Sequence, residues 1–111
     1  MKKTLFLLLV LSASTIMGQT KNKKVTTFTI QTSAVCDMCE DLIVNKTLSY
    51  EKGVKYAEMN VETGELMVRF KNNKTSIEHL RNVISQLGYS ADSIKADSTA
   101  YENLHFCCKA P

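Results

Sequence analysis

The stretch Val25-Thr-Thr-Phe-Thr-Ile-Gln-Thr-Ser-Ala-Val-Cys36-Asp-Met-Cys39 opens as an alternating run and closes on two cysteines three residues apart. From Val25 to Thr32, Phe28 and Ile30 fall on one side, with Thr27, Thr29 and Gln31 on the other, which predicts a half-buried strand. The strand therefore ends just before a C-x-x-C. Residues 39–51 follow without Gly or Pro and predict a helix, with Cys39, Leu42, Ile43 and Tyr50 near one face and Val44 and Leu48 widening the stripe. Gly53 closes that helix.

Working outward, Val54 to Val61 carries Ala57, Met59 and Val61 on one face, and Leu66 to Phe70 carries Leu66, Val68 and Phe70. With Gly64 between them these runs predict a β-hairpin. Thr75-x-x-Glu78 predicts a capping box, and Ile77, Leu80, Val83, Ile84 and Leu87 recur at helical spacing until Gly88 stops them. Tyr89 to Lys95 reads as a short final strand. The order strand, helix, strand, strand, helix, strand predicts an α+β, ferredoxin-like βαββαβ sandwich, here with a short C-terminal helical tail.

At the other end, Lys2 and Lys3 precede the apolar run Leu5 to Leu11, and the stretch Ser12 to Gly18 follows. This layout predicts a secretory signal peptide over residues 1–18, cleaved after Gly18. The apolar run is much shorter than the roughly 20 residues that span a bilayer, and no cysteine is present there for lipid attachment. The expected product is periplasmic or secreted, with no membrane association after cleavage. Cleavage removes two lysines and no acids from a chain of formal charge +3, leaving one domain's worth of near-neutral chain. Such a charge leaves no footprint for nucleic acid or anionic lipid. Residues 19–24, with Lys21, Lys23 and Lys24, are expected to form a flexible, solvated tail.

The four cysteines are Cys36, Cys39, Cys107 and Cys108. An exported chain with four cysteines ordinarily suggests two disulfides, but neither the C-x-x-C nor the adjacent pair spans a loop whose closure would stabilise the fold much. Cross-pairing of the two ends stays open. A soft d10 ion such as Cu(I) accepts two thiolates nearly in line, whereas Zn(II) generally takes four ligands in a tetrahedron. Cys36 and Cys39 alone thus favour Cu(I), or Hg(II) by the same softness. Placed on an exposed loop at a helix start, both sulfurs would meet free backbone N–H groups that lower their pKa.

From about Val25 to Lys95 the chain resembles the heavy-metal-associated (HMA) domain of copper chaperones, copper-pumping ATPases and the periplasmic mercury-binding protein. The resemblance rests on Cys36-Asp-Met-Cys39 at the first strand–helix junction, on Gly53-Val54 and on Leu87-Gly88-Tyr89. Two departures stand out: Ser33-Ala34-Val35-Cys36 replaces the family's Gly-Met-Thr-Cys, removing a core methionine, and the first helix is one residue longer than the common pattern. The resemblance implies a domain over residues 25–96, and it places Tyr89 on a loop facing the metal loop, either as a shield for the ion or as an ordinary core tyrosine. Met38 offers a soft thioether between the two ligands but is expected to point outward.

Residues 97–111 form a Cys-containing C-terminal tail outside that domain. Thr99-x-x-Glu102 predicts a cap for a short helix through Tyr101, Leu104 and His105 to Cys107 and Cys108. A final strand of about seven residues would carry the chain roughly 23 Å from the metal loop, and a helix of about ten would return it roughly 15 Å. Cys107 and Cys108 either join Cys36 and Cys39 in a three- or four-sulfur site, which admits Zn(II) or clustered Cu(I), or form a separate site or a partner-facing redox pair. His105 is a candidate extra ligand, and His79 is expected to be solvated on the second helix. No nucleophile–base set marks the chain as an enzyme.

The expected function is an exported soft-metal-binding protein that carries or sequesters Cu(I), with Zn(II) or Hg(II) as alternative cargo. Its partners would be the ion and a metal-donating or metal-accepting protein. Thiol–disulfide exchange by Cys36 and Cys39, or a disulfide-stabilised interaction module, are the competing readings.

Overall fold

The computed structural model describes residues 24–109, so the leader and most of the N-terminal tail expected from the sequence lie outside the described residues. Three antiparallel strands, β1 (Val25–Gln31), β2 (Val54–Asn60) and β3 (Glu65–Lys71), form one sheet in the order β1-β3-β2. The register pairs Ile30 with Leu66 and Phe28 with Val68 on one side, and Met59 with Leu66 and Ala57 with Val68 on the other. This puts the apolar member of each alternation on one face, as a period of two requires. Helix α2 (Ile77–Leu87) supplies Leu80 and Ile84 to the same core, which Ile43 and Leu48 complete from the segment between β1 and β2. Burying each such side chain is worth about 1.5–3 kcal/mol. The fold is ferredoxin-like. Among the described residues, no helix is long and apolar enough to cross a membrane.

The first helix is where the sequence's extra residue goes. Helix α1 (Asp37–Glu40) runs directly into a π-helical turn, Asp41–Asn45, and then a 3-10 turn, Leu48–Tyr50. A π turn absorbs one inserted residue without moving what flanks it, a device that recurs at functional sites. The change in winding also corrects the predicted face. Leu48 is fully buried, whereas Tyr50, expected on the apolar stripe, is 84% exposed.

The predicted final strand does not form. Only Ala91 bridges to Thr32, and Ala91 then exchanges backbone hydrogen bonds with Ile94 at 2.9 and 3.0 Å, closing a turn. Asp92 holds that turn: it adopts φ 55°, a left-handed conformation that Asp tolerates, its carboxylate accepts from the Gln31 N–H and from Arg81, and its own N–H donates to the Gln31 carbonyl. The Asp92 N–H thus still reaches the end of β1, while the Ala91 and Ile94 N–H groups are satisfied within the turn.

Two helix caps also differ from expectation. Ser76, not Thr75, caps α2 by accepting from the His79 N–H, and Asp97, not Thr99, caps the tail helix α3 (Ser98–Glu102) by accepting from the Ala100 N–H. In both cases several small polar residues are adjacent, and the extended residue immediately before the first helical one takes the role. His79 is not merely solvated, since its Nε2 sits 2.8 Å from the Glu51 carboxylate.

Candidate metal centre

The loop that carries Cys36 has Ser33-Ala34-Val35 where the resembling domains carry a methionine, and polar contacts fix it. Thr32, buried, donates from Oγ1 to the Gly64 carbonyl at 2.7 Å and accepts from the Ala34 N–H at 3.1 Å, while the Ser33 hydroxyl accepts from the Ser90 N–H. Ala34 lies buried in the core. Gly64 has φ +81°, and a Cβ there would meet the Thr32 carbonyl oxygen at 2.5 Å, so only glycine lets the β2–β3 turn support this loop. The only sequence signal for this role of Thr32 and Ser33 is a polar pair between a strand and a candidate ligand.

Cys36 precedes α1 and is half-buried, while Cys39, one turn on, is fully buried. The expectation that both thiols lie on an exposed loop is thereby corrected for Cys39, which packs into the core.

The tail reaches them by a shorter path than a full final strand would allow. After the turn at Ala91 to Ile94, the Asp97 N–H donates to the Ser85 carbonyl and the Ser85 hydroxyl donates to the Lys95 carbonyl, tying the chain to the end of α2. Helix α3 then crosses Gly88 so closely that a Cβ there would lie 3.0 Å from the Ala100 backbone. The chain breaks at Asn103 to His105 rather than continuing as one helix, and a 3-10 turn, Phe106–Cys108, presents the last two cysteines. The His105 ring caps this turn by accepting from the Cys107 N–H at Nδ1.

As a result the four thiols converge. Cys36 Sγ lies 3.1 Å from Cys107 Sγ and 3.4 Å from both Cys39 and Cys108. The sulfurs of Cys36, Cys107 and Cys108 all fall within 4.8 Å of one another. All four are free thiols, and Cys108 is 4% exposed. Of the expected alternatives, a three- or four-sulfur site with Cys36 and Cys39, a separate site, or a partner-facing redox pair, the structure brings both tail cysteines to Cys36.

The electrostatics divide the thiols. Hydrogen bonding by the Cys107 thiol, joined by the Cys39 amide and by the Cys108 and Cys39 thiols, outweighs desolvation and lowers the Cys36 pKa to about 6. The tail thiol is a larger cause of this lowering than the backbone N–H at the helix start. The Cys107 pKa is raised, chiefly because its proton is shared with Cys36, and burial pushes the Cys108 thiol well above the ordinary range. Cys36 is thus the thiol of the cluster that ionises first, ahead of Cys107 and Cys108.

Tyr89 closes the inner side. It is fully buried, and its hydroxyl finds no fully formed hydrogen bond among the described residues. That hydroxyl faces the Cys39 and Cys108 thiols, and burial, followed by these thiols, raises its pKa far above the tyrosine range. A groove of about 350 Å³ between the first helix and the tail, lined by Met38, Leu42, Lys46, Leu104 and His105, opens onto Tyr89 and Cys108.

The sulfur spacing suits a thiophilic ion. With metal–sulfur bonds of about 2.3 Å, the sulfurs of a tetrahedral site stand about 3.8 Å apart and those of a trigonal site about 4.0 Å. The three distances to Cys36 are shorter than these by about 0.4–0.9 Å, and Cys36, Cys107 and Cys108 form the mutually close group, with Cys39 near Cys36 but outside that group.

No family model and no curated protein matches the chain. Solved structures do. The fold matches a CopZ metallochaperone at 21% identity and TM-score 0.56, over 60% of this chain and 98% of that one. It matches a ZiaAN sub mutant, solved by NMR, at 29% and 0.54 over 61% and 96%, and oxidised MerP from Ralstonia metallidurans CH34 at 27% and 0.51 over 60% and 96%. The chain resembles the HMA domains of copper chaperones and MerP. Each of these structures is covered almost whole, so about two fifths of this chain has no counterpart in it.

Proposed function

We propose that this chain is an exported carrier or store of a soft metal ion, with Cu(I) as the foremost cargo, held by Cys36, Cys39, Cys107 and Cys108. The observation that carries this reading is the convergence of three thiols on Cys36 at 3.1–3.4 Å, from segments about 70 residues apart. Soft thiolate sulfur selects Cu(I), Hg(II) and Zn(II) over hard cations. The resemblance to a metallochaperone and to MerP supports cargo handling, with transfer to or from a partner protein, rather than turnover of a substrate. The basic, apolar, then small-residue order of residues 1–18 supports export.

The Cys36 thiolate has a first role in this chemistry, since an incoming ion meets one ligand already deprotonated near neutral pH. The other thiols release their protons as the ion binds. Competition titration with Cu(I), Zn(II) and Hg(II), with the sulfur count read by X-ray absorption at the copper edge, tests the reading. Three or four sulfurs around the ion are expected, and Cys36→Ser with Cys39→Ala, which removes the low-pKa thiol and its neighbour, should weaken Cu(I) binding sharply. Wild-type affinity in that double variant would refute the assignment.

The same proximity favours one second reading, thiol–disulfide exchange through Cys36. The mass of protein purified without reductant separates the two: bound metal supports the carrier, and the loss of two hydrogens per bridge supports exchange.

A further inference from the structure

The cluster contains a fifth sulfur. Met38 Sδ lies 3.6 Å from Cys107 Sγ, in the direction of a thiol-to-thioether hydrogen bond. Met38 occupies the first turn of α1, between Cys36 and Cys39, and is 49% exposed. Its expected outward direction holds only for α1 by itself, because the 3-10 turn Phe106–Cys108 brings Cys107 up against it. Cys107 therefore sits between Cys36 at 3.1 Å on its inner side and Met38 on its outer side.

We propose that Met38 is a fifth metal ligand, sharing a soft ion with the Cys107 thiolate at the outer edge of the cluster, and that it biases the site toward Cu(I) against Zn(II). This rests on the reading of the four thiols as a soft-metal site. The argument is one of place and softness. Met38 Sδ and Cys107 Sγ, 3.6 Å apart, stand close to the separation that one ion bonded to both would set, so the gap between them has the size such an ion needs. That gap is only a few tenths of an ångström narrower than the about 3.8–4.0 Å between two sulfurs held by one ion. Thioether sulfur binds Cu(I), whereas protein Zn(II) sites draw on thiolate, imidazole and carboxylate. Met38 thus adds affinity for one cargo and none for the other. Its exposure also makes the Met38–Cys107 pair the first sulfurs an arriving ion meets, ahead of the buried Cys39 and Cys108.

Selenomethionine substitution of the full chain gives a direct readout. With Cu(I) bound, absorption at the selenium edge should show copper at bonding distance, and that path should vanish in Met38→Leu and in Cys107→Ser. With Zn(II) bound, no selenium–metal path is expected. Met38→Leu, an exposed and volume-conserving change, should weaken Cu(I) binding about tenfold and leave Zn(II) affinity unchanged. Copper bound by cysteine sulfur with no selenium neighbour, or equal Cu(I) affinity in the leucine variant, overturns the Met38 assignment and leaves the thiol site standing. Failure of Cu(I) to bind the cysteines at all overturns the parent reading and this one with it.

Discussion

The tail cysteines offer the sharpest test of how the site chooses its cargo. Changing Cys107→Ser and Cys108→Ala removes two of the four thiols with limited damage, because Cys107 is half-buried and tolerates a hydroxyl, whereas Cys108, at 4% exposed, is better replaced by an apolar group than by one needing a hydrogen bond. A four-ligand structural Zn(II) site is worth about 10–16 kcal/mol near neutral pH. Withdrawing half its ligands should cost about half of that, roughly 5–8 kcal/mol, or about 10⁴- to 10⁶-fold in Kd. Cu(I) retains Cys36 and Cys39, whose sulfurs lie 3.4 Å apart and satisfy a two-coordinate ion after a modest opening. Its loss should stay within about a hundredfold. Competition against a chromophoric chelator for each metal, at fixed pH and with circular dichroism to verify the fold, gives both numbers. Equal losses for the two metals, or unchanged Zn(II) affinity, would refute the four-thiol argument.

Cys36 should react with iodoacetamide with a midpoint near pH 6, rising toward the ordinary thiol value of 9.0 when Cys107 is replaced; a wild-type midpoint above 8 contradicts the thiolate assignment. Because the folded pKa of Cys36 is lowered, its contribution is full above pH 9 and is lost as pH falls through 6. The raised values of Cys107 and Cys108 contribute below pH 9 and are lost above it. Metal-free stability, followed by denaturant unfolding, should therefore climb from pH 6 and decline beyond about 9. Tyr89→Phe deletes a buried hydroxyl without a fully formed partner and should leave the metal-free fold equally stable or more stable by about 1 kcal/mol, a loss above 2 kcal/mol in the melt being the contrary result. Gly64→Ala forces a side chain into a left-handed turn and against the Thr32 carbonyl, which should cost more than about 1 kcal/mol and lower the thermal midpoint; an unchanged midpoint would show that the turn does not brace the loop.

Alternation and helical spacing placed β1, β2, β3 and α2 close to where they lie, because those patterns report which face each element buries, and one buried face is enough to set register and orientation. The departures occur where short polar residues compete. Ser76 displaced Thr75 as a cap, Asp97 displaced Thr99, and Asp92 closed a turn where a strand was expected, since each choice depends on local dihedrals that residue type only biases. The π turn at Asp41–Asn45 was visible only as a one-residue surplus.

What the sequence determined by itself was the fold class and the C-x-x-C at the first strand–helix junction, both consequences of contiguous residues and their period. That Cys107 and Cys108 lie beside Cys36 was decided only in three dimensions. It turned on the chain reversing at Ala91 to Ile94, on Ser85 holding the return path, and on Gly88 admitting α3 at close range. These contacts join residues far apart along the chain, so no local pattern encodes them. The same holds for the Cys36 thiolate, whose ionisation is set foremost by a thiol 71 positions away, and for Met38, whose sulfur meets Cys107 only because the tail packs across the start of α1.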